Sequence, residues 1–344
     1  MIEFGQKQHS VLGPSSTDRI ANCPGSPALI EELGHLLESD EPEEYADEGT
    51  AAHEAAALRL WTGGYPTSTP QLVCDQLAEY IEHVESHDVI LVEHRLHFKS
   101  IHPSMFGTAD HLGLDFKPRR EHVAYVSDLK FGAGVGVEAK GNRQMLTYAV
   151  GALELFDSVG LAPTWFDLTI AQPRYDHPEG TLRTHRVSRD EVAEHAEFLK
   201  QLVARTQEPS VLRAAGEWCR WCKARGACST LTAKMKEFVD ANPGKYSGEQ
   251  VSEALRLAEI APSWKKAVNQ FAYREAQRGR PPPGWKLVPK RSRYGGFTLV
   301  PVDDPRTAVV ATAGSDFEDD DVAMEWARRA REHSELERKE ATAG

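Results

Sequence analysis

The spacing of apolar residues changes along the chain from a helical to a strand-like period. Helical spacing and alanine-rich runs predict helices over residues 15–37, 48–61 and 70–86, the first interrupted at Pro24-Gly25. Alternating apolar and polar residues, many of them β-branched, then predict strands over residues 89–98, 105–116 and 122–130. The short turns between these strands favour an antiparallel meander.

A second group of elements follows the predicted meander. A helical pattern covers residues 141–157, and two further strands are predicted over 164–171 and 181–187. Ser188 and Glu191 form a capping box at the start of a helix that ends near residue 207. Helices and strands in this order predict a mixed α/β fold, in which helices flank a central mixed sheet.

The C-terminal third of the chain has a different pattern. Apolar spacing predicts helices over residues 247–260 and 263–278, followed by a Pro- and Gly-rich basic stretch. The residues beyond that stretch are polar, and we expect them to be flexible. The predicted domains are therefore a core, a helical and basic extension, and a polar tail, at residues 10–230, 231–296 and 297–344.

The composition is that of a soluble globular protein: of 344 residues, 27% are charged and 40% hydrophobic. No apolar run approaches the roughly 18 residues of a membrane span, and the first ten residues lack the apolar segment of a secretory signal. We therefore expect a cytoplasmic protein whose five cysteines are thiols or metal ligands. The net charge of −12 argues against a protein that coats nucleic acid by bulk charge, but not against an enzyme that acts on it.

Two aspartates at the ends of neighbouring predicted strands are candidate ligands for a divalent cation. Asp110 lies in the second strand, and Asp128 lies near the end of the third, two residues before Lys130. Hard divalent cations prefer oxygen ligands, and they can neutralise a phosphodiester and activate water. Lys130 points to the same side of its strand as Asp128, so its ammonium could orient that water or offset charge on the phosphate. The alternative is an ordinary polar pair at a strand end.

Three further residues could join this site. Gln144 and Tyr148 lie four residues apart in the following predicted helix and share one of its faces. His53, in the predicted helix 48–61, could complete a metal site. The alternatives are a solvated glutamine, a core tyrosine and a structural histidine.

Together these residues resemble the RecB-like branch of the PD-(D/E)XK nucleases over residues 45–150. The resemblance rests on four motifs in this order: Gly49-x-x-x-His53, Gly107-Thr108-Ala109-Asp110, Asp128-x-Lys130 and Gln144-x-x-x-Tyr148. Asp128 stands where other branches carry glutamate, and no proline precedes Asp110, as is usual in this branch.

This resemblance implies a restriction-endonuclease-like core and assigns roles to its residues. The implied ligands of a catalytic Mg²⁺ or Mn²⁺ are His53, Asp110, Asp128 and the carbonyl of Leu129. Lys130 would be the catalytic lysine, while Gln144 and Tyr148 would support the site and contact the DNA strand. Glu93 lies where many relatives have a glutamate, and it could support the site or be an ordinary surface residue.

Four of the five cysteines form a second candidate site. Cys219, Cys222 and Cys228 have the spacing C-x2-C-x5-C, and Cys23 could supply the fourth ligand that a metal needs. One N-terminal cysteine and this later motif resemble the iron–sulfur RecB-like nucleases, including helicase-associated subunits and CRISPR-adaptation exonucleases. That resemblance implies a 4Fe–4S cluster, with zinc or free thiols as alternatives. Cys74 lies outside the pattern, and we expect a buried thiol there.

The basic C-terminal stretch is a candidate DNA contact. Nine basic residues and a single acidic one lie between Lys265 and Arg293, and basic side chains of this kind can neutralise phosphates. A solvated basic helix and loop is the alternative. The candidate DNA-binding residues are Lys286, Lys290, Arg291 and Arg293.

Residues 15–29 and 283–293 also resemble a phage-encoded family of this nuclease branch. The sequence therefore predicts a Mg²⁺- or Mn²⁺-dependent DNA exonuclease that processes DNA ends for recombination or replication. A single-strand annealing protein is a candidate partner. A non-catalytic DNA-binding or scaffold protein and a zinc-stabilised endonuclease are the alternatives.

Overall fold

The computed structural model describes residues 10–34, 44–115, 122–240, 246–289 and 297–309. The chain divides into two compact units, Met1–Ala267 and Val268–Gly344. Within the described ranges, every helix is too short or too polar to cross a lipid bilayer. The domain limits at residues 230 and 296 stay predictions.

The first unit begins with helices that match the predicted pattern closely. Helices α1 (Thr17–Asn22) and α2 (Ser26–Glu32) are separated at Pro24-Gly25, and α4 (Gln71–Glu85) lies within the predicted limits. Helix α3 (Glu44–Thr62) begins four residues before the predicted start at residue 48.

The central sheet has five strands in the order β1-β2-β3-β4-β5. Strands β1, β2 and β3 form the predicted antiparallel meander, β3 and β4 are parallel, and β5 is antiparallel to β4. The parallel pair is joined through helix α5 (Arg143–Ser158), and α6 (Arg189–Thr206) follows β5 behind the predicted Ser188–Glu191 capping box. The strand limits are Val89–His97, Phe106–Leu114, Val123–Leu129, Trp165–Ala171 and Leu182–Ser188. The predicted mixed α/β fold is confirmed.

Helices cover both faces of this sheet, because alternate residues of each strand point to opposite sides. On one face Leu112 and Val126 pack with Met145 of α5 in the main core. On the other face Leu129 packs with Leu77 of α4 and with alanines of α3. The middle of β2 and the end of β3 therefore lie where side chains of α3 and α5 can reach them.

After α6 the chain continues through 3-10 turns and two helices. The turns span Glu217–Trp221 and Lys223–Gly226, and α7 spans Ser229–Asp240. Helix α8 (Gly248–Gln277) continues through Pro262, so the prediction of two separate helices was wrong. Proline removes one backbone donor, but its φ is compatible with a helix, and Leu257 and Ile260 just before it are buried in a local core that holds the segment.

The second unit contains a β-hairpin that the sequence pattern did not predict. Strand β6 (Trp285–Pro289) pairs antiparallel with β7 (Phe297–Pro301), one in the predicted basic stretch and one in the predicted polar tail. Leu287, Val288 and Val300 are its buried residues. Lys286 donates a hydrogen bond from Nζ to the carbonyl of Asp304 (2.5 Å). The other candidate DNA-binding residues, Lys290, Arg291 and Arg293, lie outside the described residues.

Candidate active site

The aspartates identified from the sequence lie where strands β2 and β3 separate. The last pair between these strands is His111–Ser127. Asp110 and Asp128 occupy the next position on each strand, beyond that pair. There the backbone N–H of Leu129 donates to Oδ2 of Asp110 (2.9 Å) in place of a ladder partner. Both aspartates are almost completely buried.

His53 extends from helix α3 to Asp110 in the middle of β2. Its Nδ1 lies 3.2 Å from Oδ1 of Asp110 and 3.8 Å from Oε1 of Glu93 on β1. Ligand atoms of these three residues lie within 4.8 Å of one another, and within the described ranges no other set of three histidine, cysteine or acidic residues does so. One imidazole nitrogen and two carboxylates are a donor set that suits a divalent cation of the Mg²⁺ or Mn²⁺ type.

Glu93 occupies an unusual place in its strand. Pairs Val92–His111 and His94–Ala109 flank it, so its register position is opposite Asp110. Glu93 has a φ of 50°, and every other non-glycine residue in the described ranges has a negative φ. The sequence left open whether Glu93 is a surface residue; it is partly buried beside His53. The cross-strand register of the β1–β2 meander, if known, would have placed it there.

Asp128, Lys130 and Gln144 form a closed triangle of polar contacts. Lys130 Nζ lies 2.6 Å from Asp128 Oδ2 and donates to Gln144 Oε1 (3.3 Å). Gln144 Nε2 in turn donates to Asp128 Oδ1 (3.0 Å). The predicted helix face of α5 therefore contacts the predicted strand pair.

Opposing effects act on the charges of this triangle. Burial raises the pKa of Asp128, although the neighbouring Lys130 opposes that shift. Burial alone would lower the pKa of Lys130, but the charge of Asp128 and its hydrogen bond outweigh burial and raise it. Lys130 is therefore an ammonium at neutral pH.

Tyr148 and the start of α5 are fixed by backbone contacts. The Tyr148 hydroxyl donates to the carbonyl of Thr108 on β2 (2.8 Å). Burial, followed by the charges of Asp128 and Asp110, raises its pKa well above the usual value. Asn142 caps α5 by accepting from the backbone N–H groups of Gln144 and Met145. This cap fixes the first turn, from which Gln144 reaches Asp128.

The four predicted cluster cysteines line a single cavity, together with Arg19 and Arg225. Cys23 follows helix α1, and the other three lie in and after the 3-10 turns that precede α7. Burial raises the pKa of Cys219 to about 11 and also raises that of Cys222. A metal bound here would displace thiol protons. Cys74 lies apart from them in α4, half-buried.

Two solved structures are similar to parts of this chain. A protein from Eubacterium rectale, described as a proposed exonuclease, has 12% sequence identity and a TM-score of 0.34, covering 57% of this chain and 80% of its own. A protein named SSO0001 has 13% identity and a TM-score of 0.30, covering 66% of this chain and 90% of its own. Neither likeness is close enough to carry a functional argument.

A family profile covers most of the chain. It describes proteins of unknown function, DUF2800, and matches residues 9–70 and 64–295. The chain belongs to the DUF2800 family.

Proposed function

We propose that this chain is a Mg²⁺- or Mn²⁺-dependent deoxyribonuclease that hydrolyses phosphodiester bonds as an exonuclease. The observation that carries this proposal is the convergence of His53, Glu93 and Asp110 beside the Asp128–Lys130 pair. A cationic lysine next to a divalent donor set suits a reaction in which negative charge develops on a phosphate.

The residues proposed to hold the cation are His53, Asp110, Asp128 and the Leu129 carbonyl, with Glu93 added to them. When bound, a hard divalent cation would neutralise phosphate charge and activate water. The donor chemistry fits such an ion, because carboxylate oxygens outnumber nitrogen and no thiol contributes.

Lys130 acts as a fixed positive charge and not as a general base. Asp128 and Gln144 hold its ammonium, and the raised pKa keeps the proton on Nζ. It can therefore donate hydrogen bonds to a phosphate oxygen or orient the attacking water. Gln144 maintains the distance between Lys130 and Asp128, because it contacts both.

We also propose a 4Fe–4S cluster at Cys23, Cys219, Cys222 and Cys228. Zn–S bonds of about 2.3 Å in a tetrahedral site would hold thiolate sulfurs about 3.8 Å apart. No three of these four described sulfurs lie within 4.8 Å of one another. Zinc would therefore require these thiols to move together, whereas in an iron–sulfur core each thiolate binds a different iron. The cysteine spacing, which resembles that of iron–sulfur nucleases, favours the cluster.

This cluster would be a cross-link of the fold. It would tie α1 to the turns near α7, across about 200 residues of chain, and would contribute mainly to stability. Visible absorption of the purified protein, with iron, sulfide and zinc analyses, distinguishes the choices. Stoichiometric zinc in a colourless protein would support the zinc alternative, and a metal-free protein would support free thiols.

The proposed biological role of this enzyme is the processing of DNA ends. The enzyme would process DNA ends of a phage in recombination or replication, in the host cytoplasm and beside a single-strand annealing protein. A non-catalytic DNA-binding or scaffold protein of this fold, or an endonuclease, is the competing function. The charged triangle around Asp128 favours an enzyme, because a scaffold has no need for a lysine fixed beside a cation donor set.

The test is Mn²⁺-dependent degradation of end-labelled single- and double-stranded linear DNA, with circular DNA as the substrate without ends. Wild type should degrade linear but not circular DNA, while Asp128→Ala and Lys130→Ala should abolish activity and keep the fold. Asp157→Ala, which removes a surface ion pair with Arg189, should leave activity unchanged. Degradation by Lys130→Ala at the wild-type rate would refute the assignment, and cleavage of circles would indicate an endonuclease.

A further inference from the structure

A buried polar cluster lies directly behind the candidate metal site. The hydroxyl of Ser127 lies 3.1 Å from Nδ1 of His111 and 3.0 Å from Nε2 of His83. Ser127 is 1% exposed and His111 is fully buried. One hydroxyl thus joins β2, β3 and α4.

The position of this cluster connects it to the two aspartates. His111 follows Asp110, and Ser127 precedes Asp128, so their side chains lie on the opposite face of the sheet. They are also the last pair before the strands separate. The His111–Ser127 link therefore joins the two strands at the pair next to the point where they part, and the two carboxylates lie one residue beyond it.

The chemistry of Ser127 makes this link sensitive to substitution. A serine hydroxyl donates once, so it can donate to one imidazole while it accepts an N–H from the other. Without the hydroxyl, His83 Nε2 and His111 Nδ1 would both lose a partner inside the protein. His111 Nε2 is already buried without a hydrogen-bond partner. Loss of the Ser127 hydroxyl would therefore leave both ring nitrogens of His111 without one.

Gly113 on β2 leaves room for the imidazole ring of His111. A Cβ added at Gly113 would lie 3.0 Å from Cε1 and 3.1 Å from Nε2 of His111, and 3.2 Å from Cδ2 of His87. The glycine therefore leaves the space into which the His111 ring turns. The orientation that points Nδ1 at Ser127 is built into the strand.

We infer that Ser127 is a positioning residue for the candidate metal site: its hydroxyl fixes β2 to β3 so that Asp110 and Asp128 stay at the spacing a divalent cation requires. This inference rests on the proposed function. Groups hydrogen-bonded to metal ligands typically change metal affinity or activity by 10- to 100-fold when they are removed. Ser127 acts through the strand pair and not on a ligand directly, so we expect an effect at the lower end of that range.

The chain offers a matched control for the loss of a buried hydroxyl. Thr169 on β4 is the strand partner of Ser127 and is fully buried. Its hydroxyl bonds to that of Thr184 (2.8 Å), on strands that carry no candidate ligand. Ser127→Ala and Thr169→Val should therefore lower the melting temperature similarly, but only Ser127→Ala should change metal binding.

The experiment measures the Kd for Mn²⁺ alone from the paramagnetic resonance of free Mn²⁺, with full-length protein. Ser127→Ala should raise the Kd about tenfold or more, while Thr169→Val matches wild type. If Ser127→Ala does not fold, Ser127→Cys, which is slightly larger and keeps a donor and acceptor at this position but weakens both hydrogen bonds, should show a smaller rise. A folded Ser127 variant with the wild-type Kd for Mn²⁺ would overturn the role of Ser127 and leave the proposed function standing. A wild-type protein that binds no Mn²⁺ would overturn both.

Discussion

The backbone N–H of Leu129 donates a hydrogen bond to the carboxylate of Asp110, at 2.9 Å, just beyond the last β2–β3 pair. A side chain thus replaces the strand partner that Leu129 would otherwise have. The other oxygen of Asp110 faces His53 at 3.2 Å. One carboxylate therefore serves the fold through one oxygen and the candidate metal site through the other.

Two substitutions of Asp110 should separate these roles. Asp110→Asn keeps an oxygen for the Leu129 N–H but loses the charge, so it should lose Mn²⁺ binding and retain most of its stability. Asp110→Ala removes both, and a buried donor left without a partner costs about 1–3 kcal/mol. Calorimetric Mn²⁺ titration and urea unfolding measure the two effects. Equal loss of stability in both variants would show that the hydrogen bond to Leu129 contributes nothing.

Glu93 should show a conflict between stability and metal binding. A non-glycine residue at positive φ costs on the order of 1–3 kcal/mol, and glycine relieves that strain. Glu93→Gly should therefore raise the melting temperature and weaken Mn²⁺ binding, while Glu93→Gln should weaken binding without the gain. Thermal unfolding without metal and Mn²⁺ titration check this. Wild-type Mn²⁺ affinity in both variants would remove Glu93 from the donor set.

The sequence predicted the parts of the fold and site that depend on local periodicity. Alternation identified β2 and β3 and placed Asp128 near the end of β3, and the spacing of Gln144 and Tyr148 gave the correct face of α5. These predictions succeeded because strand and helix periods fix where neighbouring side chains point. The prediction that Asp110 ends its strand was wrong, because β2 continues past it in its pairing with β1.

Features that depend on interactions between distant parts of the chain could not be predicted. Glu93 joins His53 only because β1 pairs with β2 in one particular register, and register follows from tertiary packing. The hairpin of β6 and β7 was missed because its prolines and basic residues resemble a loop. Pro262 suggested a helix boundary, although buried residues just before it stabilise a continuous helix.

Loss of one cluster cysteine should affect stability more than chemistry. Cys219→Ser should reduce soluble yield, visible absorption and melting temperature, because a structural metal site contributes folding free energy directly. Cys74→Ser is the matched control, since Cys74 lies outside the thiol cavity. Iron content and thermal unfolding of both variants are the measurements. An unchanged melting temperature in Cys219→Ser would contradict a structural cluster.

The basic residues of the C-terminal stretch should differ in their effect on DNA binding. The observed DNA association constant, Kobs, falls as salt concentration rises. Replacing Lys290, Arg291 and Arg293 by glutamine should make the slope of log Kobs against log salt concentration less steep, by about 1 for each phosphate that is no longer neutralised. Lys286→Gln should leave the slope nearly unchanged and destabilise the hairpin, because Lys286 is bonded to Asp304. Fluorescence anisotropy over a salt series tests both. Equal slopes for the triple variant and wild type would exclude these residues from DNA binding.

His195 should make the protein less stable in mild acid. Burial, with a smaller effect from the charge of Arg143, lowers its pKa from 6.5 to about 4, and its Nε2 lies 3.0 Å from the Thr147 hydroxyl. Between these two pH values the unfolded chain binds more protons than the folded one, so stability falls as pH falls.

From pH 7 to pH 5 this residue should contribute a loss of about 2 kcal/mol. Urea unfolding at both pH values should show a loss smaller by about that amount in His195→Gln. His83 and His111, whose pKa values burial lowers to about 4 and about 3, and His94, whose pKa burial also lowers, contribute to the loss that remains. The same loss in wild type and His195→Gln would mean that His195 ionises normally in the folded protein.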